Sequence, residues 1–235
     1  MKKGILHIIL LIIIGGCSFS QSQIDDPGNA PWLPWSDLIQ EEKENCATSS
    51  YGQGMIVRSI IEKIELQKFN PSFVIVQWSA VQRGYTSNQT DVVEAIVKNR
   101  EVLFSHYDNE YWSDTVKVGH ASNGFDDLTY ETYVTAFTHI TLLQNYLERK
   151  KIPYLFFWGW EQITEKNPLS YKFKELYKTT KVGEWWTPKN HIGFKEWAQE
   201  KIGIKADIKG DLHPSTAAHK IFYEKIIKPK IKTLL

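Results

Sequence analysis

Four short segments of this chain hold the residues whose types could do chemistry together. Gly16-Cys17-Ser18-Phe19 closes an apolar run, and Tyr51-Gly52-Gln53-Gly54 opens a helical pattern. Trp78-Ser79-Ala80-Val81-Gln82-Arg83 follows a second apolar run, and Gly210-Asp211-Leu212-His213-Pro214 precedes the last helical pattern. In open parallel sheets, reactive groups collect at the carboxyl ends of the strands, and all four segments fall there. A hydroxyl or thiol, an imidazole, a carboxylate and glycine N–H groups are the set that nucleophilic acyl transfer uses. Taken singly, each residue also has a plain structural reading. Ser18 suits a turn, and Asp211 suits a helix N-cap with Pro214 in the first turn.

Other chemistries find less support. His106, His120, His139 and His191 have no metal-ligand spacing, and there is no glycine-rich phosphate loop. Neither a metal nor a cofactor is expected. His219, almost two helical turns beyond His213, reads as structural or surface. Cys17 would need an electropositive niche to act as a nucleophile, and consecutive residues leave a turn in different directions. Cys46 reads as a small buried hydrophobe, and two cysteines make no disulfide framework.

Composition narrows the class. The chain has 235 residues, which suits one α/β domain with a sizeable core. With 42% hydrophobic and 23% charged residues it is neither disordered nor a polytopic membrane protein. Lys and Arg number 28 against 27 Asp and Glu, so a nucleic-acid partner is not expected.

The four segments need elements to position them. The run Ile5–Ile14, closing on Gly15-Gly16, suits a central parallel strand buried on both faces and followed by a tight turn. The same run after Met1-Lys2-Lys3 also fits a signal peptide, and Ile14-Gly15-Gly16-Cys17 resembles a bacterial lipobox. It is too short for a stable membrane span, which takes about 20 apolar residues. Cleavage before Cys17 would remove the strand, so the two readings are nearly exclusive. The strand reading makes a cytoplasmic protein the expectation, with export or a lipid anchor through Cys17 as the alternative.

Downstream, Pro31–Ile39 leads into a short helical stretch ending near Lys43. Ile56, Ile60, Ile61 and Ile64 predict a helix over Gly54–Gln67, ended by Asn70-Pro71. Phe73–Trp78 reads as a buried strand of β-branched and aromatic residues. A long helix is predicted from about Leu128 to Lys150, apolar at Val134, Phe137, Ile140, Leu143 and Leu147. The strand Ile152–Trp158 follows, and the last helix starts after Pro214 and ends before Pro229. Two irregular insertions, about 83–127 (with a short helix near 90–98) and 159–206, interrupt the pattern. The alternation predicts an α/β fold, a parallel sheet with helices on both faces, in one domain over residues 1–235.

In this order the motifs resemble those of the SGNH/GDSL hydrolases, from about residue 10 to 232. The likeness rests on Gly-x-Ser after an N-terminal strand, a glycine loop opening a helix, and a late Asp/His-Pro motif before the last helix. It implies a flavodoxin-like three-layer sandwich. It also implies Ser18 as nucleophile, His213 as its base and Asp211 as the group orienting the imidazole. The N–H groups of Gly52 and Ser18 would face the oxyanion. The chain departs from the family in three places. Cys17 and Phe19 stand where Asp and Leu are usual, and the late motif is Asp-x-His instead of Asp-x-x-His. Trp78-Ser79-Ala80-Val81 replaces Gly-x-Asn-Asp, so Ser79 or Arg83 would have to supply the missing oxyanion donor.

The resemblance implies hydrolysis of an ester, an O-acyl group on a carbohydrate, through an acyl-enzyme. The expected partner is therefore a small-molecule or glycan ester, with Arg83 and Trp78 at the substrate. Trp78 and Trp158 end apolar strands and suit core or pocket wall. Trp112, Trp160, Trp185 and Trp186 lie in the insertions, where they either line a cleft or pack the insertions onto the sheet. Two alternatives stand beside the esterase. One is a catalytically inactive glycan-binding protein on the same scaffold, suggested by the missing Asn. The other is an exported lipoprotein with a structural role.

Overall fold

The apolar runs assemble into one parallel sheet. The structure, a computed structural model, describes residues 10–22, 33–48, 51–79, 130–159, 193–201 and 213–233. Its strands are β1 (Leu11–Gly15), β2 (Glu42–Asn45), β3 (Phe73–Trp78) and β4 (Tyr154–Trp158), in the spatial order β2-β1-β3-β4. Every pairing is parallel.

Side chains alternate across each strand, and both faces are covered, which is why the runs are apolar throughout. Ile13, Val74, Val76, Phe156 and Trp158 meet helices α1 (Gln53–Glu65) and α2 (Tyr130–Lys150). Ile12, Ile14, Ile75, Leu155 and Phe157 meet α3 (Phe194–Lys201) and α4 (Thr216–Phe222) on the other face. The result is a three-layer α/β sandwich, as the sequence predicts.

Several boundaries differ from the sequence reading. β1 begins at Leu11; residues 1–9, with the start of the apolar run, lie outside the described residues. The helical stretch expected to reach Lys43 is a single 3₁₀ turn, Trp35–Leu38, and β2 follows it. This edge strand reads Glu-Lys-Glu-Asn and carries no apolar alternation, so its pairing with β1 selects it. Helix α1 ends at Glu65, ahead of Lys68 in a left-handed conformation (φ 57°).

The last helix starts on the N-cap Ser215, whose side chain accepts from the Ala218 N–H, so Pro214 precedes the helix. It does not stop before Pro229. A π turn over Tyr223–Ile227 leads into α5 (Lys228–Lys232), with Pro229 in the first turn, where its missing N–H is not needed. Helix α3 lies inside the stretch 159–206 and buries Phe194, Trp197 and Ala198. At two turns it is too short to show a period. The helix expected near 90–98 lies outside the described residues. Among the described residues, no helix is long and apolar enough to cross a membrane.

The face under α4 is an aromatic stack. Phe222 lies over Phe194 at 4.4 Å between ring centroids, with Phe157 at 5.0 Å and Trp197 at 5.5 Å. Phe222→Ala is expected to destabilise the fold by about 3–5 kcal/mol in denaturant unfolding. A loss below about 1 kcal/mol would show that this ring does not hold α4 to the sheet.

Candidate functional site

The sheet order places β1 and β3 side by side, and their carboxyl ends open at the same edge. Ser18 leaves β1 in a tight turn, in which the Cys17 carbonyl accepts from the N–H groups of Ser20 (2.8 Å) and Gln21 (3.0 Å). Gly16 makes this turn possible. A Cβ there would stand 2.8 Å from Ser20 Oγ and 3.1 Å from the Gln77 carbonyl oxygen, closer than side chains tolerate. From β2, Asn45 Nδ2 donates to the Ser20 carbonyl at 2.8 Å. From β3, Gln77 Oε1 accepts from Ser20 Oγ at 2.9 Å.

At the other end of the chain, His213 stands just ahead of α4. Its Nε2 lies 2.8 Å from Ser18 Oγ, across 195 residues of sequence. The ring rests edge-on against Phe19, at 4.9 Å between centroids, and Phe19 in turn packs on Phe194 of α3. Aromatic packing on the α3/α4 face therefore sets the height of His213 over the turn. Ser18 itself is 9% exposed.

Cys17 points the other way. Its thiol is fully buried, 3.3 Å from Gln77 Nε2 and 3.5 Å from Gln77 Oε1. Adjacent residues thus face opposite directions, and it is Ser18 that faces the histidine. Cys46 is partly buried, and burial pushes its thiol up to about 12, which keeps it protonated.

Gly52 begins α1 as its N-cap, with no side-chain cap, so the first-turn N–H groups have no intrahelical acceptor. Beside it, Gln53 Nε2 donates to the Ser79 carbonyl at 2.8 Å and joins the start of α1 to the exit of β3. Ser79 is fully buried, and among the described residues its hydroxyl has no partner. Trp78, expected at the substrate from sequence, is fully buried. Its ring is buried against Phe156 on the α1/α2 face, because it alternates with Gln77 along β3. Asp211 and Arg83, together with Trp112, Trp160, Trp185 and Trp186, lie outside the described residues. No group of metal-ligating side chains forms among the described residues.

Gln77, Ser20 and Asn45 did not stand out in the sequence. One signal was available for Gln77: it is the single polar residue in Phe-Val-Ile-Val-Gln-Trp.

No protein-family model matches the chain, and no curated protein matches it. Among solved structures, the chain is similar to the psychrotrophic esterase EstA from Pseudoalteromonas sp., in a structure inhibited by monoethylphosphonate. That likeness has 12% identity over 94% of this chain and 98% of that one, with a TM-score of 0.48. It is also similar to a mutant of the esterase AlinE4, at 13% identity over 96% and 97% of the two chains, with a TM-score of 0.44.

A second histidine lies under the site. His219 is fully buried; its Nδ1 accepts from the Trp35 N–H at 3.2 Å, which leaves the proton of the neutral ring on Nε2. Burial, with a smaller push from His213, lowers it from its ordinary value to about 3. Below about pH 6.5 the unfolded chain binds a proton that the folded chain refuses. Stability is therefore complete above that pH and is lost towards pH 3, by about 1.4 kcal/mol per unit. Between pH 7 and 5 the wild type is expected to lose about 2 kcal/mol more than His219→Gln in denaturant unfolding. Parallel pH profiles would contradict a neutral, buried His219.

Proposed function

We propose that this chain is a serine hydrolase of the SGNH/GDSL type that cleaves an ester through an acyl-enzyme. The observation that carries the reading is the 2.8 Å approach of Ser18 Oγ to His213 Nε2. A serine hydroxyl is a weak nucleophile until a base takes its proton, and this distance is within hydrogen-bond reach of one.

In the proposed reaction Ser18 Oγ attacks the ester carbonyl carbon while its proton passes to His213 Nε2. The carbonyl oxygen becomes an oxyanion, received by the N–H groups of Ser18 and Gly52 and by the Ser79 hydroxyl. That hydroxyl is buried and has no partner among the described residues, which supports its part in place of the side-chain amide that the family usually offers. Collapse breaks the carbonyl–alkoxy bond, and the leaving alcohol takes the proton from His213. Water then gives a proton to His213 and attacks the acyl-serine; the acyl–Oγ bond breaks, the acid leaves, and His213 returns the proton to Ser18 Oγ. Asp211 is assigned to His213 Nδ1, two residues away in sequence, holding the tautomer and steadying the imidazolium.

The acyl group is assigned to a carbohydrate, with Arg83, Trp112, Trp160, Trp185 and Trp186 around the sugar. The support is compositional: of nine tryptophans in 235 residues, these four fall in the irregular stretches 83–127 and 159–206. Flat aromatic faces suit pyranose rings.

A fluorophosphonate probe and a panel of short-chain aryl esters and acetylated sugars test the reading. The probe is expected to label the wild type and leave Ser18→Ala unlabelled. His213→Ala should lose at least about 10³-fold in kcat/KM, the scale of removing a triad base. Labelling that persists in Ser18→Ala would refute the assignment. Sugar-ester binding without hydrolysis would instead favour an inactive glycan-binding protein on this scaffold.

A further inference from the structure

We infer that Gln77 is a positioning residue for the nucleophile, clamping the turn on both sides of Ser18; this rests on the hydrolase reading. Gln77 lies on β3, fully buried, on the same face as Phe73 and Ile75. A primary amide in an otherwise apolar strand is unfavourable unless its donors and acceptor are used. Here they are used, and mostly on the turn. Oε1 accepts from Ser20 Oγ at 2.9 Å, Nε2 donates to the Trp78 carbonyl at 3.0 Å, and both amide atoms lie within 3.5 Å of Cys17 Sγ.

The two residues held by this amide bracket Ser18. Fixing Cys17 into the sheet and Ser20 against its edge leaves Ser18 one direction, towards His213. The neighbouring strand is shaped around the same group. A Cβ at Gly159, just past β4, would stand 2.1 Å from Gln77 Nε2, so a larger residue there would displace the amide. Gly16 is bound by the same assembly, between Ser20 and the Gln77 carbonyl. Three strand ends thus converge on one side chain that touches neither His213 nor substrate in the proposed mechanism.

The alternative is that Gln77 only fills volume and supports the fold. Gln77→Met keeps the length and removes every hydrogen bond, and Gln77→Glu keeps the acceptor for Ser20. Each variant is assayed well below its own unfolding midpoint with an aryl ester and with the fluorophosphonate probe. For Gln77→Met, kcat and the labelling rate constant are expected to fall on the order of tenfold to a hundredfold. KM and the end-point of one label per chain should hold, and Gln77→Glu should recover part of the rate. An unchanged rate constant with a reduced end-point would mean a purely structural role and would overturn the inference.

If Gln77→Met does not fold, Ser20→Ala removes only the hydroxyl contact to Gln77 Oε1. It should lower the labelling rate constant severalfold, and an unchanged rate would equally overturn the inference. A wild type that takes no label, or a Ser18→Ala variant that does, refutes the hydrolase reading before Gln77 is reached. The inference then falls with it.

Discussion

β1 is hydrogen-bonded along both edges, to β2 and to β3, and its side chains are buried on both faces. A strand held on four sides cannot shift register without unpairing two neighbours and turning its core residues over. Its last residues therefore have fixed positions, and Gly16, Cys17 and Ser18 inherit them. The other half of the pair comes from nearly 200 residues away and is placed by different contacts. Phe19, Phe194 and Phe222 form a continuous aromatic layer, and α4 rides on it with His213 at its leading edge. The Ser18–His213 distance is the meeting of a rigid strand with an aromatic face.

The parts of this arrangement that were legible in the sequence are those with a strong apolar signal. Phe73–Trp78 was readable to the residue, because a doubly buried strand admits almost nothing else. Helix α2 was readable within two residues from its apolar spacing. Ser18 and His213 were legible through their order along the chain and their places at element ends, and the structure brings them together. β2 was not legible, because an edge strand of Glu, Lys, Glu and Asn is specified by its partner's backbone. Pro229 misled for a local reason: a π turn restarts the helix just before it. The polar contacts beneath the turn were invisible because they join residues about 60 apart, and no spacing rule connects them.

Buried polar groups around the site fall into two kinds. The Gln77 amide has its acceptor and its N–H groups engaged, so it stiffens the structure in one arrangement. The Ser79 hydroxyl and the His219 Nε2–H have no partner among the described residues. Leaving such a group dry costs about 1–3 kcal/mol. For His219 the cost is tied to its buried, neutral ring and to the bond that its other nitrogen takes from the Trp35 N–H. For Ser79 the proposed mechanism supplies the missing acceptor only when an oxyanion forms. That is the condition for a donor to favour the transition state over the ground state.

The lipobox-like run Ile14-Gly15-Gly16-Cys17 acquires a physical meaning from the same contacts. Ile14 pairs with both Asn45 and Ile75 in the sheet, and Gly15 pairs with Val76. Gly15 and Gly16 are small because Ile60, Ser20 and the Gln77 backbone approach the chain there. These are the demands of a strand that ends in a tight turn, and they account for the small residues at both positions. A thioether-linked lipid on Cys17 would need space where the sulfur is fully buried against Gln77. Cleavage before Cys17 would take away β1 and leave β2 and β3 without the partner they share. Cleavage there and the β2-β1-β3-β4 sheet are alternatives, because the residues that would be removed are the ones that place Ser18.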